Sequence, residues 1–439
     1  MKAKDRTRGI VAVTAACAGI ALFGTPTIPA NSVRMTQNSM RTVTVTYVLG
    51  DENNQEPAIV TVDFETNVTG TAEGPWASIG TRNFRGVAGD VNKVVAPGTN
   101  RITWAAYKDW PDRHVTNGNF RAKVKAWAKT CPPDYMVIDL SVSGSYSYYL
   151  DEDALPLGIE DDYYRKDALV MRKIPAAGVK WRMGSPGTEK GRYSNLEGTH
   201  YVTLSDDYYM GVFPVTRWQY ARIMGTSVAS IAADRQCQVM TRLSWNKIRY
   251  NNDNTTTGLN GGTWPVDRTV RADSPIGMLR TKTGIESFDL PTMAQWEFAC
   301  RAGTSSALYT GRELSVSDPS ASVSDPELDE IAWYCGNTTD CPLRVGVKKP
   351  NGWGLYDMYG STYEWCLDWY HTSWQENEDD PVGPDSTTET PLQRYLGSSA
   401  YNCQPKYCRS AYRNHIPPSN AYSQYDILGF RVKCLAVAP

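Results

Sequence analysis

The chain has 439 residues, too long for one ordinary domain and comfortable for two. Its formal charge of −2 at pH 7 argues against a nucleic-acid partner, which needs a basic excess. With 14 tryptophans and 26 tyrosines against 8 phenylalanines, its core carries many polar handles that need hydrogen-bond partners.

Met1 to Ala30 reads as a signal peptide. Lys2, Lys4, Arg6 and Arg8 form a basic segment, Ile10 to Gly24 is apolar, and Pro26 to Ala30 offers small residues for cleavage. The apolar run is short for a membrane-spanning helix; an uncleaved anchor is the competing reading. The expectation is an exported protein, in the periplasm, at the cell surface or secreted. Nine cysteines follow this segment, in a compartment where disulfides persist, and an odd number leaves at least one thiol free or paired outside the chain. Its oligomeric state is not legible.

Residues 31–150 read as an all-β sandwich of immunoglobulin or fibronectin type. Val43, Val45 and Tyr47 alternate with Thr42, Thr44 and Thr46, and the runs Ile59 to Phe64 and Phe120 to Trp127 repeat the theme. Gly89-Asp90, Pro97-Gly98 and Asn117-Gly118 mark turns between strands. No catalytic constellation stands out: His114 reads as a solvated loop residue, and Asp63 and Glu65 as solvent-facing strand positions. Residues 151–166, rich in acidic side chains, read as a linker.

Residues 167–439 read as an α+β domain with much irregular structure. Leu169 to Ile174, Val179 to Ser185, Tyr201 to Leu204 and Tyr208 to Val212 have strand character. Thr216 and Gln219 form a capping box for a helix stopped by Gly225, and Ser244 caps a second helix. Thr292 and Gln295 open a third, Met293 to Arg301, ending at Gly303, with Trp296 and Cys300 on a core-facing stripe. Cys335 and Cys341 are expected to form a local disulfide.

Near the C-terminus Cys403 and Cys408 stand five positions apart. Two such thiols can hold a soft metal such as Cu(I), form a disulfide, or do redox chemistry. Lys406 between them would favour the thiolates. No zinc spacing, nucleophile elbow or phosphate loop competes with this pair.

Several motifs occur in order: Met183-Gly184-Ser185; Pro214-Val215-Thr216 with Gln219-Tyr220; Leu290-Pro291-Thr292 with Gln295-Trp296-Glu297; Asn351 to Met358; Glu364-Trp365; and Gly429-Phe430-Arg431. This series resembles the formylglycine-generating enzyme family, also called sulfatase-modifying factor, from about Leu169 to Cys434. The resemblance implies a C-type-lectin-like α+β fold with long loops. It implies that Cys403 and Cys408 are catalytic and bind Cu(I) as two thiolates, the metal then activating O2 to oxidise a substrate cysteine to formylglycine. The implied partner is a sulfatase or another cysteine-containing polypeptide. The resemblance also implies structural calcium at Asp357, Met358, Gly360 and Thr362. The chain departs from the family pattern in three places: Ala400 stands where a serine is usual, Ile416 where an arginine is common, and Gly360-Ser361-Thr362-Tyr363-Glu364-Trp365 where the family has Gly-Asn-Val/Ala-Trp-Glu-Trp. These departures support a second reading, a non-catalytic exported protein that uses lectin-like loops to bind a peptide or a glycan.

Overall fold

The computed structural model describes residues 26–50, 56–67, 75–111, 119–142, 144–251, 269–340, 343–383, 393–419 and 426–438. Most of the expected signal segment, His114 and Cys341 lie outside these residues. Among the described residues no helix is long and apolar enough to cross a membrane.

The first region is two antiparallel sheets packed face to face. One sheet holds β1 (Arg34–Gln37), β2 (Thr42–Leu49), β7 (Gly98–Ala105) and β5 (Val87–Gly89) in that order. In the other, β3 (Ala58–Asn67) is flanked on one side by β4 (Trp76–Ser78) and β6 (Lys93–Val95), and it also pairs along its length with β8 (Phe120–Trp127). A short helix, α1 (Ala106–Asp109), follows β7. Alternation explains β2: Val43, Val45, Tyr47 and Leu49 are buried while the threonines between them are half-buried. Inward residues from both sheets meet around Phe64, whose ring stacks on Trp104 at 4.6 Å and on Phe120 at 5.6 Å.

β3 departs from the expected one-sided pattern. Its back face is also covered, because Ile59 joins the core of the second region. Glu65 is therefore not solvent-facing: it is 7% exposed and takes ion pairs from Arg121 at 2.6 Å and Lys123 at 3.4 Å.

The boundary expected at residue 150 also moves. β9 (Tyr135–Asp139) and β10 (Ser145–Tyr149) do not join the sandwich. They form an antiparallel sheet of order β10-β9-β11-β14-β22 with β11 (Ala168–Ile174), β14 (Tyr208–Gly211) and β22 (Lys433–Leu435). The physical reason is that Tyr135 to Ile138 and Ala168 to Met171 are apolar on both faces and cover each other's backbone and side chains. Residues 151–166, expected as a linker, include α2 (Tyr163–Lys166), with Tyr164 and Arg165 buried and Arg165 Nη1 donating to the Ile159 carbonyl at 2.8 Å.

A three-stranded sheet of β12 (Val179–Met183), β13 (His200–Leu204) and β18 (Asn377–Asp379) adds a second layer. β15 (Ala332–Trp333) pairs in parallel with β16 (Tyr359–Gly360). The buried centre is β17 (Tyr363–Trp369), set between β19 (Arg394–Gly397) and the parallel β21 (Leu428–Gly429), with β20 (Asn414–Ile416) beyond β19.

Three helices start where the sequence placed their caps. Thr216 and Gln219 form both bonds of a capping box on α3 (Arg217–Met224), and Gly225 ends it in the left-handed conformation. Ser244 caps α4 (Trp245–Tyr250). Ser274 caps α5 (Pro275–Thr283), and Thr292 with Gln295 opens α6 (Met293–Arg301), which stops one residue before the expected glycine, at Ala302. A last turn, α7 (Pro326–Asp329), precedes β15. Unlike α3, α4 and α6, neither α5 nor α7 was read from the sequence. Trp296 and Cys300 of α6 are fully buried. β19 approaches α6 so closely at Gly397 that a Cβ there would lie 2.4 Å from the Trp296 ring.

Buried ion pairs tie the irregular segments together. Arg431 meets Glu364 at 2.9 Å, Arg413 meets Glu297 at 3.0 Å, Arg409 meets Glu197 at 2.7 Å and Arg249 meets Asp289 at 2.9 Å.

Candidate thiol site

The site is built on the loop that joins β19 to β20. After β19 the chain turns at Ser398, whose φ is +63°, and the Ser398 hydroxyl donates to the Gly360 carbonyl at 3.3 Å. A tight turn then closes Cys403 N–H on the Ala400 carbonyl at 3.0 Å. One 3-10 turn, Pro405–Tyr407, spans the gap to the second cysteine, with Cys408 N–H on the Pro405 carbonyl at 2.9 Å. Proline suits the first position of that turn because its missing N–H has no partner there in any case.

Both thiols are free, Cys403 at 8% exposure and Cys408 at 0%. The disulfide alternative for the pair is not formed. Each sulfur has a hydroxyl partner: Tyr363 Oη lies 3.1 Å from Cys403 Sγ, and Ser399 Oγ lies 3.1 Å from Cys408 Sγ. The Gly360 N–H donates to Ser399 Oγ at 3.0 Å, which leaves the serine proton to face Cys408. The Ala400 N–H points at Cys403 Sγ at 3.4 Å. Burial pushes both thiols above their ordinary range, Cys408 farther, and the two hydroxyls pull the other way.

Lys406 does not help the thiolates as expected. Its ammonium lies over the Tyr407 and Tyr193 rings, 4.9 and 5.4 Å from their centroids. Arg409 and Arg413 are equally engaged, with Glu189 and Glu197 and with Glu297. Among the described residues no lysine or arginine is hydrogen-bonded to either sulfur, and Arg409 acts on Cys408 only through its charge, so the pocket offers two soft thiol donors. That donor set fits a soft monovalent metal such as Cu(I).

At the expected calcium site the donors would be the Asp357 carboxylate and the backbone carbonyls of Met358, Gly360 and Thr362. Asp357 is 3% exposed and caps a turn, its Oδ2 accepting the Gly346 N–H at 2.7 Å. The Gly360 carbonyl accepts from Thr362 N–H at 2.7 Å and from Ser398. Burial raises the Asp357 carboxyl to about 6, and the nearby Arg431 and Arg165 pull the other way. The Asp357 carboxylate and the Gly360 carbonyl thus already accept bonds from within the chain.

Cys335 is a free thiol, which removes the expected Cys335–Cys341 disulfide. Cys131 is the disulfide-bonded residue, to a partner outside the described residues. Neither Tyr363 nor Ser399 has a role at the sulfurs that the sequence disclosed. The signal for Tyr363 was its place at a family tryptophan. Ala400, one residue after Ser399, is fully buried and supplies only its backbone N–H to the site. Ile416 lies in β20, paired with Arg394.

Residues 172–434 match the family model described as "Sulfatase-modifying factor enzyme 1-like domain". Among curated proteins, the chain is 28% identical over 220 residues to the Chaperone protein LppX of Paenibacillus barcinonensis, a match covering 44% of this chain and 72% of that one. It is 34% identical over 133 residues to the formylglycine-generating enzyme of Thermomonospora curvata, covering 27% of this chain and 40% of that enzyme. It is 33% identical over 153 residues to the formylglycine-generating enzyme of Bos taurus, covering 32% and 37%. The matches therefore span less than half the length of these two enzymes. A solved structure, Treponema denticola variable protein 1, aligns at 21% identity with a TM-score of 0.44, covering 62% of this chain and 96% of that one.

Proposed function

Because the chain belongs to the sulfatase-modifying factor family over residues 172–434, we propose that it is a formylglycine-generating type of oxidase acting on a cysteine-containing polypeptide such as a sulfatase. The observation that carries this reading is the pair of free, buried thiols at Cys403 and Cys408, each with a hydroxyl at 3.1 Å. Cu(I) held by the two sulfurs would supply the O2 chemistry, oxidising a substrate cysteine to formylglycine.

The chain's own residues then have defined tasks. Cys403 and Cys408 bind, after losing their protons. Tyr363 and Ser399 hold the two sulfurs in place by hydrogen bonds. Cys408 is fully buried and Cys403 is 8% exposed, so a substrate would approach from the Cys403 side. Since burial raises both thiols, metal binding must release protons, and affinity rises with pH.

The second reading is a non-catalytic binding protein that holds a peptide or a glycan. Two observations favour it: Ala400 brings no hydroxyl to the site, and LppX, a protein named a chaperone, matches over 72% of its length.

Titration of the reduced, purified protein with Cu(I), beside a Cys403→Ser, Cys408→Ser double variant, separates the readings. One-to-one binding lost in the double variant, followed by O2 consumption with a cysteine peptide, supports the oxidase. No binding by the reduced wild-type protein overturns it and leaves the binding protein.

A further inference from the structure

A cleft of about 230 Å³ lies on the five-stranded sheet, and none of its lining residues belongs to the loop that carries the thiols. Strand alternation builds its floor. In the β9–β10 pair Ser145 stands opposite Asp139, Ser147 opposite Val137 and Tyr149 opposite Tyr135. These residues share one face of the sheet, while Met136, Ile138 and Tyr148 on the other face enter the core of the second region. The segment before β11 builds the wall, with Pro156, Leu157 and, from α2, Tyr163 and Tyr164. Two bonds hold that wall: Leu157 N–H donates to Tyr164 Oη at 3.2 Å, and Tyr163 N–H to Asp161 Oδ1 at 2.8 Å.

The lining combines rings with one fixed negative charge. The Tyr163 and Tyr164 rings stand 5.3 Å apart with their planes at 69°, a corner of two π systems, and Tyr149 lines the same cleft. Tyr149 and Tyr163 are half-buried, so each keeps part of its surface open. Asp139 supplies the charge. Its Oδ1 accepts from the Ser141 N–H at 2.8 Å and the Ser141 hydroxyl at 2.5 Å, and its Oδ2 from the Tyr163 hydroxyl at 3.1 Å. Burial opposes its ionisation, but these bonds and one from the Val142 backbone outweigh it and hold the carboxyl below its ordinary range. None of those partners is a cation, and among the described residues no lysine or arginine lines the cleft. The carboxylate keeps accepting capacity on Oδ2.

A negative charge beside aromatic walls attracts a cation, which gains further from the ring faces. The apolar share of the lining, Val137, Pro156 and Leu157 beside the three rings, selects the kind of cation. A primary ammonium is compact, strongly hydrated and brings three N–H donors that each need an acceptor. A quaternary ammonium has no N–H, and its methyl groups suit rings and aliphatic walls. We propose that this cleft binds a quaternary ammonium group, with Tyr149, Tyr163 and Tyr164 as its aromatic walls and Asp139 as its counter-ion. Ser145 and Ser147 then face the polar remainder of the ligand, such as the hydroxyl of choline. Such a site holds whether or not Cys403 and Cys408 carry a metal.

The test is titration calorimetry of the full-length protein with choline chloride. Its neutral isostere, in which carbon replaces the ammonium nitrogen, and methylammonium chloride are the comparisons. The expected result is saturable one-to-one binding of choline, with the neutral alcohol weaker by roughly tenfold or more. Asp139→Asn should weaken choline roughly fivefold, the weight of one charge pair near water, and leave the alcohol unchanged. Tyr149→Leu should weaken choline more than the alcohol. Failure of the wild-type protein to bind choline overturns the proposal. Equal binding of the alcohol overturns it as well, since the cleft would then be only an apolar groove. Methylammonium bound as tightly as choline overturns it too, because charge alone would then suffice. Phosphatidylcholine vesicles assign the source once choline binds: co-sedimentation that free choline displaces places the group on a lipid, and no co-sedimentation places it on a free solute.

Discussion

The sandwich of β1 to β8 and the region from β9 onward bury comparable strands by different means. In the sandwich the inside is apolar and stacked, Val43, Val45, Val62, Phe64, Ile102 and Trp104 among it, and its buried polar residues are Thr61, Glu65 and Asn67 on the face turned away from that core. In the second region fully buried arginines reach through the interior to carboxylates on distant segments, as Arg431 does to Glu364 and Arg409 to Glu197. Long irregular segments cannot satisfy their backbone by sheet or helix alone. Arg431 shows how the deficit is met: besides Glu364 it donates to the carbonyls of Gly211, Val212 and Tyr356. The first region fails when a shape is lost, the second when a charge is left alone.

The sharpest way to break that contrast is Arg431→Met. It strands Glu364 at 0% exposure, with the Trp296 indole at 2.7 Å as the remaining side-chain donor among the described residues. Removing one partner of a buried pair costs about 3–5 kcal/mol. Denaturant unfolding of the single variant, and of Arg431→Met with Glu364→Gln, checks it: the double variant should recover part of the loss. A double variant as unstable as the sum of the two singles would mean that shape, not charge, dominates here too.

Next in size is Ile102→Ala in the sandwich core, a fully buried site, for which truncation costs about 2–5 kcal/mol. Its loss should fall on the first region. Cys403 and Cys408 should stay as protected from alkylation as in the wild type under conditions where the sandwich alone is weakened. Simultaneous exposure of both thiols would show that the two regions unfold as one unit.

Tyr363→Phe acts at the site itself. It removes the hydroxyl 3.1 Å from Cys403 Sγ, and with it the bond that lowers that thiol's affinity for its proton. A hydrogen bond of this kind is worth about 1 kcal/mol. Less Cys403 thiolate is then present at any given pH, and its alkylation, followed by peptide mass, should slow roughly fivefold. The curve against pH should move to higher pH without a change in overall stability of similar size.

These contrasts also mark what the sequence disclosed. Period-two alternation gave β2 and β8 almost to the residue, and the capping boxes at Thr216 and Thr292 gave two helix starts, because both signals are local. The buried ion pairs were not visible: an arginine and its glutamate sit 67, 116 or 212 positions apart, and charged residues ordinarily lie outside. Glu65 and Lys406 were misplaced for the same reason, since a neighbour in space decided what each charge does. β9 and β10 were assigned to the wrong region because strand character is local and the choice of pairing partner is not. The thiol pair was legible from its spacing, whereas Ser399 and Tyr363 became visible only when the β19–β20 loop folded onto β16 and β17.

The smallest effect is expected where the two regions meet on the surface. Arg82 reaches Asp153 at 2.6 Å, but their side chains are 72% and 54% exposed. Water and salt screen such a pair, and holding two mobile side chains together offsets most of the attraction, so the net contribution is about 0–1 kcal/mol. Arg82→Ala should therefore leave unfolding nearly unchanged at physiological salt, while the same chemistry deleted from the interior at Arg431 is severe. The contact between the regions rests instead on Ile59 in the second core and on the bond from Tyr148 N–H to the Asn92 carbonyl at 2.7 Å. If Arg82→Ala were to separate the two unfolding transitions, the surface pair and not the buried edge of β3 would be what couples the halves. The same variant measured at high and low salt decides it, since an ion pair loses weight as salt rises and a buried apolar contact does not.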